Sequence, residues 1–135
     1  MRFILALAAA TVLSGPVAAA PQQAPAMVYF GTDSDELNAA ARARLDRTAQ
    51  QYREGGSQQV ILAGHADPHE GSSEYTVGLS QRRANAVRNY LAEQGVPNGA
   101  MTTQAFGQSR PAIETSKPEA DNRRVEVTFG PGSGW

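Results

Sequence analysis

Residues 124–129 read RVEVTF, a segment in which charged or polar side chains alternate with apolar ones. This alternation is typical of a β-strand with one face buried and the other in water. Val125, Val127 and Phe129 are therefore predicted to point into a core. A sheet with one solvent-exposed face packs helices against its other face only, so this strand predicts a two-layer α/β sandwich.

Upstream segments supply the other elements of this sandwich. Residues 27–30 and 60–64 are short apolar runs that predict strands, and the second is placed inside the sheet because its neighbouring positions are all apolar. Residues 101–106 predict a third strand. Apolar residues at helical spacing predict a first helix over about 37–54. The order β-α-β-α-β-β gives a mixed sheet, with right-handed crossovers where strands are parallel.

The second helix has well-marked ends in the sequence. Ser80 is predicted as its N-cap, because serine accepts a hydrogen bond from the free backbone N–H groups of a first turn. Gly95 and Pro97 are predicted to end it. These limits place Arg83 in the first turn, where unpaired N–H groups also favour a bound anion.

The beginning and the end of the chain are predicted to lie outside the folded domain. Residues 1–20 combine Arg2, an apolar run and a small-residue cleavage site, which is typical of a secretory signal peptide. Residues 21–26 are predicted to be a linker, 27–129 the domain and 130–135 a flexible tail. No segment of the mature chain is apolar enough to predict a membrane span.

Composition excludes several classes of function. The chain has no cysteine, so it has no disulfide framework, thiol nucleophile or thiolate metal site. Its formal net charge is −1, which becomes −2 once Arg2 leaves with the signal peptide, and this argues against nucleic-acid binding. Nearly all its basic residues are arginine, so charged recognition is expected to use a planar, two-pronged donor.

The segment GHADPHE at 64–70 raises the possibility of a metal site. His65, Asp67 and His69 stand at alternate positions, but the chain has no further histidine. A catalytic zinc usually takes three protein ligands, each held by its own supporting partner, and the helical H-E-x-x-H pattern is missing. We therefore predict no metal and no cofactor, with His69 and Glu70 as solvated loop residues.

Patterns that would indicate an enzyme are also weak. The sequence has no G-x-S-x-G motif and no glycine-rich phosphate loop. Asp33, Asp35 and Asp67 could form a carboxylate pair only if folding brought two of them together. The sequence predicts that the protein is not an enzyme and has no catalytic residues.

Five short motifs occur in a fixed order along the chain. They are GHAD at 64–67, LSQRRANAV at 79–87, GVP at 95–97, FGQSRP at 106–111 and NRRVEV at 122–127. Together they resemble the C-terminal domain of the OmpA family, the peptidoglycan-associated module also found in Pal lipoproteins and MotB stators. The resemblance covers residues 27–129 and implies the same β-α-β-α-β-β sandwich.

The resemblance implies non-covalent binding of peptidoglycan through the meso-diaminopimelate of its stem peptide, in the periplasm at the outer membrane or cell wall. The free end of that ligand residue is a zwitterion. Asp67 matches the family's acid, which would take the ammonium, and Arg83 matches its ligand-binding arginine, which would grip the carboxylate with two hydrogen bonds. The two groups are expected to face each other across an open cleft.

Further positions carry over from the family pattern. Asp33 aligns with a position where some members place a ligand-contacting asparagine, and Thr76 stands where asparagine is usual. The segment between Asp67 and Arg83 is one residue longer than usual and contains Pro68. The resemblance implies supporting roles for four residues: His65, Asn122, Arg123 and Arg124.

Three alternatives stay open. The domain could be an interaction module for outer-membrane or other envelope proteins whose peptidoglycan binding is lost or weakened, as Thr76 and the longer loop would allow. It could be a metal-dependent periplasmic hydrolase that uses the two histidines. Arg83 could also be part of the scaffold, paired with Glu54 or Asp67.

Overall fold

The computed structural model describes residues 25–55 and 58–130, and it contains one four-stranded sheet with two helices packed on one face. The predicted order and the two-layer sandwich are confirmed. The main elements in chain order are β1 (Ala26–Tyr29), α1 (Ala39–Gly55), β2 (Gln59–Gly64), α2 (Ser73–Glu93), β3 (Met101–Ala105) and β4 (Arg124–Gly130).

The sheet has the strand order β1-β4-β2-β3. β4 runs antiparallel to both of its neighbours, while β2 and β3 are parallel and are connected through α2. β2 therefore lies between two strands, as its apolar composition predicted. Because β2 is central, the residues that follow Gly64 emerge near the middle of one end of the sheet.

The core lies between the sheet and the helices. Val125 and Val127 of β4 are buried on the helix side, and Phe129 packs against the same cluster at its margin, so the alternation in this strand predicted its inner face correctly. Leu45 of α1 and Leu91 of α2 are completely buried against them. Burying each such side chain contributes on the order of 2 kcal/mol.

The start of α2 differs from the sequence prediction. Ser72, not Ser80, is the N-cap, and its hydroxyl oxygen accepts a hydrogen bond from a backbone N–H of the first turn. Ser80 lies inside the helix, where its hydroxyl donates to the Val77 carbonyl and accepts from the Gly107 N–H. The first two turns escaped detection because their buried inward position is the polar Thr76, which breaks the apolar pattern.

This earlier start changes the position of Arg83. The arginine lies in the interior of α2 rather than in its first turn. The free backbone N–H groups of the helix start are therefore not beside its guanidinium, and the predicted help from the helix dipole is wrong.

Other boundaries shift slightly. Ala26 belongs to β1 rather than to the linker, and Gly130 belongs to β4 rather than to the tail. The predicted signal peptide, most of the linker and residues 131–135 lie outside the described residues. Within the described ranges neither helix has the length and apolar composition needed to cross a bilayer.

One close contact fixes β2 against α2. A Cβ atom added to Gly64 would lie 2.0 Å from the carbonyl oxygen of Ser80, so only glycine lets the strand end approach the helix this closely. The contact sets the position of the segment after β2 relative to Arg83, which is on the next turn of α2.

We expect Gly64→Ala to lower the free energy of unfolding by about 1–3 kcal/mol, because strand and helix must separate to admit the methyl group. Urea denaturation of the purified domain measures this. Gly99→Ala is the matched control, since a Cβ there meets nothing within 4 Å. Equal stabilities of the two variants would contradict the close contact.

Candidate functional site

Arg83 is completely buried, and all five of its N–H groups donate hydrogen bonds within the protein. Nε donates to the Ser34 carbonyl at 2.8 Å. Nη1 donates to the His65 carbonyl at 3.1 Å and to Glu70 Oε1 at 2.8 Å. Nη2 donates to the Gly31 carbonyl at 3.0 Å and to Glu70 Oε2. One side chain thus joins α2 to the β1–α1 loop and to the segment after β2.

Glu70 is the ionic partner of Arg83, and its side chain is 1% exposed. Besides the two Arg83 hydrogen bonds, its carboxylate accepts from the Asp33 N–H at 2.7 Å and the Asp67 N–H at 2.8 Å. The prediction of a solvated Glu70 is therefore wrong. Four donors offset the cost of taking this carboxylate out of water.

A sequence signal for Glu70 does exist. Asp67 and Glu70 are three residues apart with Pro68 between them, which is the spacing of a capping box with proline at the first helical position. Residues 68–70 form a single 3₁₀ turn, and both reciprocal side-chain bonds of the box are present. We call this element the Pro68–Glu70 turn.

Asp67 is also buried, and its two oxygens have separate partners. Oδ1 accepts from Asn122 Nδ2 at 3.0 Å. Oδ2 accepts from the His69 N–H at 3.1 Å and lies 3.2 Å from His69 Nδ1. Burial alone would raise the pKa of Asp67, but the hydrogen bonds from Asn122 and from the His69 N–H, with the nearby His69 ring, hold the pKa below its ordinary value. Asp67 is therefore an anion at neutral pH.

Asp67 and Arg83 belong to one hydrogen-bond network, but they do not face each other across an open cleft. Glu70 Oε1 connects them, because it accepts from both the Asp67 N–H and Arg83 Nη1. The expected open cleft is not seen between them. The Pro68–Glu70 turn occupies both charged groups, with Glu70 on Arg83 and His69 on Asp67. Arg83 is paired with Glu70, and not with Glu54 or Asp67 as the scaffold alternative named.

Asp33 lies beside this network in the β1–α1 loop. Its backbone has a positive φ of 52°, and its N–H points to the Glu70 carboxylate. Its own carboxylate accepts a hydrogen bond from the exposed Tyr75 hydroxyl of α2, which raises the pKa of Tyr75. The Arg82 guanidinium lies 5.7 Å from the centre of the Tyr75 ring. Tyr75, which no sequence motif indicated, thus connects α2 to the β1–α1 loop.

Thr76 is buried and serves the scaffold. Its hydroxyl donates to the Ser73 carbonyl at 3.0 Å and accepts from Gln108 Nε2 at 3.2 Å. Gln108 also donates to the Gly71 carbonyl at 3.2 Å. Thr76 therefore helps to hold the chain immediately after the Pro68–Glu70 turn, through Gln108.

Two of the predicted supporting residues, Asn122 and Arg123, brace the site through backbone contacts. Asn122, besides its bond to Asp67, exchanges two hydrogen bonds of 2.9 Å with the backbone of Ile113. Arg123 Nε donates to the Phe30 carbonyl at 2.9 Å, at the end of β1.

The other two, His65 and Arg124, lie in a separate cluster. The His65 ring is buried and stacks on Phe106 with centroids 5.3 Å apart, and its Nε2 lies 3.3 Å from Glu126 Oε2. Arg124 Nε lies 3.3 Å from the other Glu126 oxygen, and its Nη2 donates to the Arg110 carbonyl. Burial, and then the positive charge of Arg124, lower the pKa of His65 to about 4 although Glu126 opposes this.

The two histidines thus pair with different acids, His65 with Glu126 and His69 with Asp67. Within residues 25–55 and 58–130, no three His, Asp or Glu side chains are grouped closely enough to hold a metal ion. The alternating spacing in the sequence does not become a convergent set of ligands in the fold.

The family model for the OmpA family matches residues 29–124, and the chain belongs to this family. It is 38% identical over 109 residues to the peptidoglycan-associated lipoprotein of Rhizobium meliloti, covering 78% of this chain and 61% of that protein. It is 40% identical over 102 residues to the protein of the same name from Pseudomonas aeruginosa, covering 73% and 59%. The chain thus spans about three fifths of the length of these relatives.

Solved structures show the same fold. The crystal structure of the peptidoglycan-associated lipoprotein from Burkholderia pseudomallei matches with a TM-score of 0.71 and 30% identity, over 77% of this chain and 89% of that one. The OmpA-like domain of FopA1 from Francisella tularensis matches with a TM-score of 0.70 and 26% identity, over 78% and 71%. The β-α-β-α-β-β sandwich is therefore the fold of the family.

We expect Arg83→Lys to lower the free energy of unfolding by about 2–4 kcal/mol, because an ammonium with three N–H groups cannot replace five directed hydrogen bonds in a buried site. Arg82→Lys is the matched control, since the neighbouring arginine is exposed, and it should change stability by no more than about 0.5 kcal/mol. Similar urea midpoints for the two variants would contradict the scaffold role.

We expect stability to fall as the pH drops from 6.5 towards 4, because the unfolded chain protonates His65 in this range while the folded state, with a pKa of about 4, does not. The loss from this residue approaches about 1.4 kcal/mol per pH unit. Urea unfolding at several pH values measures it. His65→Gln should remove this slope and His69→Gln should retain it, and an unchanged slope in His65→Gln would refute the assignment.

Proposed function

We propose that the protein binds peptidoglycan non-covalently in the bacterial envelope, through the meso-diaminopimelate of the stem peptide, and performs no chemistry. One observation carries the proposal: the acid of GHAD and the arginine of LSQRRANAV, Asp67 and Arg83, lie in one buried network where β2 ends. The relatives with 38–40% identity bear the name peptidoglycan-associated lipoprotein, which supports the same ligand class.

The charges of the network suit the free end of diaminopimelate. That end carries one ammonium and one carboxylate, so a receptor needs one anion and one strong carboxylate donor. Asp67 is the anion, and its lowered pKa keeps it charged at neutral pH. Arg83 supplies the two-pronged donor for the carboxylate. The Asp33 N–H, which like Arg83 donates to Glu70 in this structure, supplies a further donor.

The proposed location is the periplasm, at the outer membrane or cell wall, with peptidoglycan as the main partner and other envelope proteins as further partners. The family membership supports this location. Nothing in the charge balance favours nucleic acid, since the net charge is −1.

One observation favours the second candidate, a module that binds an envelope protein and not the wall. Arg83 has no N–H group free for a ligand in this structure, because Glu70 and backbone carbonyls take all five. Under this alternative the ion pair is permanent and the wall-binding motifs survive only as scaffold. The two candidates differ in whether the isolated protein binds purified peptidoglycan.

We expect the mature protein to co-sediment with purified diaminopimelate-type sacculi and to bind lysine-type sacculi poorly, because lysine lacks the second carboxylate. Asp67→Asn should weaken binding ten- to a hundredfold, the effect of losing about 1.5–3 kcal/mol from a charge-assisted contact. Asp35→Asn makes the same chemical change at an exposed loop position and should bind like the wild type.

Circular dichroism spectra of both variants check that they fold. Equal capture of both wall types, or undiminished capture of a folded Asp67→Asn variant, would contradict recognition of diaminopimelate. No capture of the wild-type protein at all would favour the envelope-protein module.

A further inference from the structure

The Pro68–Glu70 turn places one of its own groups on each charged member of the site. Its Glu70 carboxylate lies on Arg83, and the backbone N–H and ring Nδ1 of His69 lie on Asp67 Oδ2. We propose that this turn is a displaceable plug that imitates a zwitterion and must leave before the ligand binds. The inference rests on the proposed function, and it deepens it by stating how the site is regulated.

The carboxylate half of the plug sits in a complete receptor. Glu70 accepts from both prongs of Arg83, from the Asp33 N–H at 2.7 Å and from the Asp67 N–H at 2.8 Å. None of these donors belongs to the Pro68–Glu70 turn. A ligand carboxylate that takes the place of Glu70 would therefore meet the same four hydrogen-bond donors.

The other half of the plug covers the acid. His69 occupies Asp67 Oδ2, while Asn122 holds Oδ1 at 3.0 Å from a different part of the chain. Departure of His69 would free one oxygen and leave the other fixed, so the carboxylate would keep its orientation for an ammonium group. The side chain of His69 is 39% exposed, so it can leave without being drawn through the core.

The turn is built so that it can move as a unit. It consists of one 3₁₀ turn, bounded by Pro68 and by Gly71, whose φ of 153° strongly favours glycine. The framework around it is fixed by the close approach of Gly64 to Ser80. Because ligand binds only the open state, the apparent affinity of the protein is reduced by the fraction of molecules that are plugged.

The direct test is the affinity of a soluble stem-peptide fragment that contains meso-diaminopimelate, measured by titration calorimetry. Glu70→Gln should bind on the order of tenfold tighter than the wild type, because a neutral amide competes less well for Arg83 and presents an N–H group to a donor. Glu74→Gln removes the same charge from the exposed first turn of α2 and should leave the affinity unchanged. Unchanged or weaker binding by a folded Glu70→Gln variant would overturn the plug.

A second measurement uses the wild-type protein. The Glu70 N–H donates to the Asp67 carbonyl at 2.9 Å within the turn, so saturation with the stem-peptide fragment should accelerate its hydrogen exchange. Amides of β2 should be unaffected or better protected. Slower exchange at Glu70 on ligand binding would show that the turn closes on the ligand, which contradicts the proposal.

A third measurement needs no cell-wall ligand. Glu70→Ala leaves the four donors without a carboxylate, so sodium acetate should raise its melting temperature more than sodium chloride at equal ionic strength. Glu74→Ala should show no such difference. An equal response to both salts would overturn the carboxylate receptor.

Failure of the inference and failure of the proposed function give different results. Wild-type protein that binds the fragment while Glu70→Gln gains nothing refutes the plug and leaves wall binding intact. Wild-type and Glu70→Gln proteins that both fail to bind the fragment or sacculi refute the proposed function, and the plug with it.

Discussion

The contact between Arg83 and Glu70 organises this end of the molecule. The guanidinium is completely buried and reaches two separate segments, the β1–α1 loop and the segment after β2, and the Glu70 carboxylate contacts both. An ion pair of this kind gains little over a well-packed apolar pair, because both charges lose their water, yet removing one partner costs several kcal/mol. The loops around Arg83 therefore keep their arrangement only while some carboxylate occupies that position.

This dependence connects stability with binding. If the ligand supplies the carboxylate, the arginine never has to remain unpaired in a dry environment, and the exchange of Glu70 for ligand costs little electrostatic energy. Asp67 differs, because Asn122 stays on its Oδ1 when His69 leaves its Oδ2. On Arg83, binding would then be the exchange of one carboxylate for another.

The sequence predicted the sheet well and the site less well, for reasons visible in particular residues. The alternation around Val125 and Val127 and the apolar run of β2 arise because the apolar residues of these strands are buried. Both strands were therefore predicted correctly. The start of α2 was missed because the inward position is Thr76. Glu70 was assigned to solvent because acids in loops usually are solvated, and its partner is thirteen positions away, beyond the reach of a local pattern.

The pairing of the first strand with the last has a practical consequence. β1 and β4 are antiparallel neighbours with Ala26 opposite Val127, while Tyr29 and Arg124 pair at the end near the site. Ala26 and Gly130 therefore lie towards the opposite end of the sheet, about 10 Å and about 20 Å along their strands from the pair of Tyr29 and Arg124, at about 3.3 Å per residue. An affinity handle or surface attachment joined at either of these two residues would therefore be joined away from the proposed binding site.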